Sequence, residues 1–87
     1  MVTKEQLEHW LTQQNYSKHT VGVFENSKSG MKYEIFDDHY RKFQHDKSGH
    51  WLLMEVTTYV DLFIEKDGEI TNKWHHVVGK NLSPYFK

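Results

Sequence analysis

The segment HWLLMEVTTYVDLFIE, residues 50–65, decides the fold. Leu52, Leu53, Val56, Val60, Phe63 and Ile64 recur at helical spacing, whereas Leu52, Met54, Val56, Val60, Leu62 and Ile64 share one face of an extended chain. Periodicity alone does not arbitrate between them. Local chemistry does: Val56-Thr57-Thr58-Tyr59-Val60 is β-branched and aromatic, stiff at χ1, a poor helix nucleus and a good strand. The segment is therefore read as extended. Unbroken, it would stretch roughly 50 Å at about 3.3 Å per residue, long for a chain of 87 residues. A bend, bulge or break is expected near Thr57–Thr58.

Downstream, Lys66-Asp67-Gly68-Glu69 carries a strong hairpin signal, with Ile70–Val78 expected to return as the partner strand. Residues 81–87, which hold the only proline, read as irregular, and Tyr85-Phe86 are expected to dock back on the domain. Upstream, Thr20–Glu25 is a short strand candidate and residues 26–30 (Asn-Ser-Lys-Ser-Gly) have the composition of a hairpin loop. Met31, Tyr33 and Ile35 alternate with Lys32 and Glu34, which places the apolar set on one face of a strand. Asp37-Asp38 interrupts the pattern as a bulge or turn, His39–Gln44 resumes it, and residues 45–49 (His-Asp-Lys-Ser-Gly) form the next loop.

At the N-terminus the period changes. Thr3 and Gln6 have capping-box spacing, and Leu7, Trp10 and Leu11 form one apolar stripe with Glu5, Glu8, Gln13 and Gln14 largely off it. A helix of about a dozen residues is marginal alone in water, so it must dock on a sheet. The expected architecture is α+β: one N-terminal helix packed on an antiparallel β-meander of four to five strands, with residues 1–87 as a single domain.

Composition narrows the function classes. Eleven basic residues against 12 acidic ones give a formal net charge of −1, which excludes binding duplex DNA by bulk positive charge. With no cysteine, a disulfide scaffold, a zinc ribbon and a thiol nucleophile are excluded. The chain has 13 aromatic residues and no alanine, so a few large rings can fill a small core. Met1–Asn15 has no apolar run of signal-peptide type, and no stretch approaches the roughly 20 apolar residues of a membrane span; the expected address is the cytosol, that of the host if the gene is phage-borne. Arg41 is the only arginine beside ten lysines, a bias expected of an AT-rich gene in a low-GC bacterium or its phages.

No motif names a reaction. The serines lack a nucleophile-elbow context, no glycine-rich loop precedes a helix, and Asp37-Asp38-His39 reads first as a solvated turn. The chain is therefore expected to be non-catalytic, with no cofactor. The histidines His9, His19, His39, His45, His50, His75 and His76 lack zinc-ligand spacings, and adjacent strand residues such as His75 and His76 point to opposite faces; no metal ligand set is assigned.

Residues 39–44 (His-Tyr-Arg-Lys-Phe-Gln) interleave rings with cations. Such a surface can anchor a protein interface or stack on bases while neutralising phosphates. Residues 50–70 carry five acids (Glu55, Asp61, Glu65, Asp67, Glu69) against Lys66, a concentration suited to a basic partner surface. The expected function is a small protein-binding module that occludes a larger partner through Tyr40, Arg41, Lys42, Phe43, Trp51 and Trp74 with Asp61, Glu65, Asp67 and Glu69. Its sharper form is a phage or mobile-element inhibitor of a host nuclease or other nucleic-acid-processing enzyme. The alternatives are a single-stranded nucleic-acid-binding domain and a histidine-dependent metal-binding protein.

Overall fold

A computed structural model of the chain describes residues 1–80. Helix α1 spans Lys4–Gln13. Its capping box is formed, with Thr3 Oγ1 accepting from Gln6 N (3.1 Å) and Gln6 Oε1 accepting from Thr3 N (2.9 Å), which satisfies two amides the helix leaves unpaired. Asn15 turns the chain out of the helix at a φ of 69°, and Tyr16 N closes onto Leu11 O at 3.0 Å. Leu7, Trp10 and Leu11 are buried, as their stripe requires.

Five strands follow as an antiparallel meander in the order β1-β2-β3-β4-β5: Ser17–Thr20, Val23–Asn26, Met31–Ile35, His39–His45 and Trp51–Thr58. The single strand expected over Thr20–Glu25 is instead the junction of two, with a tight turn at Val21-Gly22 between them. Gly22 takes a φ of +76°, and a Cβ there would lie 3.0 Å from the Ile35 carbonyl. The other loops fall where their composition places them, Asp37-Asp38 as the β3–β4 turn and Asp46–His50 between β4 and β5.

The decisive segment is extended and broken, as expected. β5 ends at Thr58, one 3-10 turn covers Tyr59–Asp61, and β6 (Leu62–Ile64) pairs with β7 (Ile70–Asn72) in a separate two-stranded sheet. Tyr59 fixes the break: its ring is buried, its N–H donates to Asp38 O at 3.0 Å and its hydroxyl to Phe36 O. The long return strand expected over Ile70–Val78 is not formed. Asn72 Oδ1 accepts from Trp74 N and His76 N, both at 3.0 Å, and His75 adopts a φ of 64°. This side-chain-stapled loop ends the ladder at Asn72, and the segment folds back on itself through an isolated bridge of Val77 to Thr71.

One core holds these parts together. Phe24, Met31, Tyr33, Ile35 and Tyr40 line one face of the five-stranded sheet and pack in one cluster with the α1 stripe, Tyr59, Leu62, Ile70 and Val78. Val78 and Gly79 pass between helix and sheet: Trp10 Nε1 donates to Val78 O (2.8 Å), Tyr16 Oη to Gly79 O (3.0 Å), and Gly79 N to Tyr33 Oη (2.9 Å). The helix thus covers one sheet face, as expected, and leaves the other bare. The expectations for residues 81–87, including Tyr85-Phe86, lie outside the described residues.

Candidate functional site: the uncovered sheet face

Alternation along each strand decides which side chains reach the uncovered face. On β3 the buried residues Met31, Tyr33 and Ile35 face the core, so Lys32 and Glu34 face away. The register then carries the same side across the sheet: Glu25 pairs with Lys32 and Val23 with Glu34 on β2, and Phe43 with Lys32 and Arg41 with Glu34 on β4. On β5 it carries it to Val56 opposite Arg41, Leu53 opposite Phe43 and Trp51 opposite His45. Met54 is an extra residue at a β-bulge, where the register shifts between Lys42 and Phe43.

Two cations lie against rings on this face. Lys32 Nζ is 4.8 Å from the Phe43 ring centroid and 4.5 Å from that of Trp51. The Arg41 guanidinium lies 5.1 Å from the Phe36 ring, on which His39 stacks with centroids 4.6 Å apart. His45 leans on Trp51 at 4.7 Å. Ring faces are electron-rich and hold cations in this way. The acids are neighbours of the same face: Glu25 pairs with His19 (3.0 Å) and Glu34 with Lys32 (3.8 Å). At the rim, His39 Nδ1 lies 2.6 Å from Asp38 Oδ1 and holds that carboxyl below its ordinary range. At the β1 end the face opens into a cleft of about 320 Å³ lined by Ser17, His19, Glu25, His45 and Trp51.

Beneath the face is a polar network. The hydroxyl of Tyr40 and that of Thr57 (2.7 Å) both donate to Glu55 Oε2. Tyr40 packs on Tyr33 and Tyr33 on Tyr16, with centroids 5.3 and 5.4 Å apart. Burial first, and then the charge of Glu55, push the Tyr40 hydroxyl up from its ordinary value. Burial lowers Lys42, against the opposing pull of Glu55.

The ten residues expected to form one contact surface are divided. Arg41, Phe43 and Trp51 meet on the uncovered face. Tyr40 does not: it is 1% exposed and belongs to the core, because strand alternation sends it to the side opposite Arg41. Lys42 shares the side of Tyr40 and is half-buried, so residues 39–44 are not one interleaved surface. Asp61, Glu65, Asp67, Glu69 and Trp74 sit on the small β6–β7 unit, whose Leu62 and Ile70 enter the core on its covered side. The acids there have local partners: Asp61 pairs with Lys73 (3.6 Å) and Glu69 with Lys80 (2.8 Å), Glu65 accepts from the Thr71 hydroxyl, and Asp67 accepts from Glu69 N. Trp74 is 51% exposed in the loop after β7, with Lys73 against its ring.

Sequence reasoning missed Lys32, Phe36, Leu53 and Val56. The alternation over residues 31–35 already placed Lys32 opposite the core set; Phe36 was hidden beside the Asp37-Asp38 turn. Among the described residues, no group of three or more His, Asp or Glu is placed to hold a metal ion. No helix among them is long and apolar enough to cross a membrane. No family model matches the chain, nor does any curated protein or solved structure.

Proposed function

We propose that the chain is a small non-catalytic binding module that occludes a larger protein through its uncovered sheet face. The observation that carries this reading is the face itself: a surface left bare by the helix, on which Phe36, Phe43, Trp51, Leu53 and Val56 are interleaved with Lys32 and Arg41. Aromatic residues and arginine dominate the energetic centres of protein interfaces. A cation already seated against a ring needs little reordering on binding, which removes part of the entropy cost of association.

Single-stranded nucleic acid fits this face less well. Base stacking needs free ring faces, and Lys32 and Arg41 lie over rings of the patch. Glu25 and Glu34 lie among the same side chains and would repel phosphates, and Leu53 and Val56 offer aliphatic surface where stacking needs rings. The partner class we carry forward is a nucleic-acid-processing enzyme of the host, with the chain acting as a phage or mobile-element inhibitor. Support for that finer reading is compositional: lysine in place of arginine and no alanine.

Calorimetry against candidate host nucleases tests the reading with two variants. Phe36→Ala/Arg41→Glu/Trp51→Ala alters the face, and Asp67→Lys/Trp74→Ala alters the small sheet. The first should weaken a partner by about 100-fold or more, the scale of losing central anchors, and the second should leave it unchanged. The reverse pattern would overturn the assignment of the face. Salt-sensitive oligonucleotide binding lost in the first variant would replace the protein reading with the nucleic-acid one.

A further inference from the structure

The uncovered face carries charge of two kinds. Lys32 and Arg41 are permanent cations, and Glu25 and Glu34 among the same side chains offset them. Three of the chain's seven histidines stand on the same face. His39 and His45 alternate with Arg41 and Phe43 along β4, and His19 reaches Glu25 from β1. The two ring clusters are built alike. Phe36 holds Arg41 and His39, and Trp51 holds Lys32 and His45, so each ring has one fixed cation and one histidine.

Every histidine of the face has surroundings that accept its proton. His19 Nε2 is 3.0 Å from Glu25, and His39 Nδ1 is 2.6 Å from Asp38. Opposite His39 on β5 stands Thr58, whose hydroxyl lies 3.2 Å from Asp61. His45 lines the cleft with Glu25 and His19 and meets the Trp51 ring, which also carries Lys32. The next residue, Asp46, is engaged by the amides of its own loop and lies 3.8 Å from His50.

We propose that the uncovered face is a pH-dependent binding surface, near neutral at pH 7.5 and cationic at pH 5.5, which holds an acidic protein surface in acid and releases it as pH rises. Histidine is the side chain whose charge ordinarily changes between pH 8 and 5. Three of them add charge where two fixed cations and two acids cancel. Charge selects the partner: the added charges have one sign and stand beside the rings that anchor an interface. The inference rests on the face being the binding surface and adds the chemistry and regulation of what it binds.

Calorimetry with poly-L-aspartate, whose carboxylates stay ionised at pH 5.5 and 7.5 alike, tests it on the full chain. The parent should bind about tenfold more tightly at the lower pH, and about 0.5 M salt should remove most of the difference. His19→Gln/His39→Gln/His45→Gln should lose the gain in acid. His19→Lys/His39→Lys/His45→Lys should bind tightly at both pH values, which separates lost charge from a damaged fold. His9→Gln/His75→Gln/His76→Gln, on α1 and in the loop after β7, should behave as the parent. Parent binding that does not change with pH, or an equal loss in this last variant, would overturn the proposal and leave the face to be judged by its nuclease measurement. Tighter binding of an oligothymidylate of equal charge, lost in the first histidine variant, would overturn it in favour of nucleic acid.

Discussion

Tyr40 sits where the sheet, the core and the β5 edge meet, with its ring against Tyr33 and its hydroxyl on Glu55. Tyr40→Phe keeps the ring and removes the donor, leaving Glu55 with Thr57. Loss of a hydrogen bond to a charged group costs about 1.5–3 kcal/mol, and urea unfolding should show a drop in that range. Gly79 is constrained from another direction. Its φ is +88°, and an added Cβ would lie 3.3 Å from Leu11 Cδ2. Gly79→Ala should therefore destabilise by about 1–3 kcal/mol, read by the same measurement, because the left-handed conformation and the crowding act together. Read as one block, Tyr-Arg-Lys-Phe places Tyr40 on the same surface as Arg41, which the structure corrects. Strand parity, already visible over residues 31–35, would have separated it from Arg41.

Elements were legible in proportion to how local their causes are. Helix α1 follows from Thr3, Gln6 and a three-residue stripe, all within eleven positions. β3 follows from its own alternation, and the break after Thr58 from the excessive length of an unbroken strand. The Val21-Gly22 turn escaped because Val21 is β-branched and reads as strand, while the turn depends on Gly22 alone. β7 was overextended because Asn72, which caps the next loop with one side-chain oxygen, resembles any polar strand residue. Asp46 performs a similar task between β4 and β5: its Oδ1 accepts from Ser48 N (2.9 Å) and His50 N (2.8 Å), and these bonds lower its pKa. A lowered carboxyl binds fewer protons in the folded state, so its contribution is present above the unfolded value of about 3.9 and lost as pH falls through the folded one. The amides of Ser48 and His50 should lose protection in that acid window, as followed by NMR exchange, while the Ile35 amide bonded to Gly22 O keeps its own.

At the scale of the whole molecule, the tyrosines tie stability to alkaline pH. Burial raises Tyr16 to about 12 and moves Tyr33, Tyr40 and Tyr59 upward as well. An unfolded tyrosine ionises near about pH 10. Above that the unfolded chain has released protons that the folded chain retains, so stability falls as pH rises from about 10 toward the folded values. Tyrosinate absorbance should appear together with the loss of circular dichroism. Ionisation of all four in a chain that keeps its native spectrum would contradict their placement in the core. The α+β class and the meander were readable from patterns along the chain, but the composition of the uncovered face was not. Which residues share it depends on the register between strands, and register is set by turns and bulges that leave little trace in composition.

The passage of Val78 and Gly79 between helix and sheet has a consequence for how the protein acquires its shape. The bonds from Trp10 to Val78 and from Tyr16 to Gly79 span 68 and 63 positions. A chain must give up much of its freedom before contacts of such separation are made. The meander can zip hairpin by hairpin, but the helix gains its full seat only when the distal segment arrives. Docking of α1 is therefore expected late in folding, and destabilising the Trp10–Val78 contact should speed unfolding more than it slows folding.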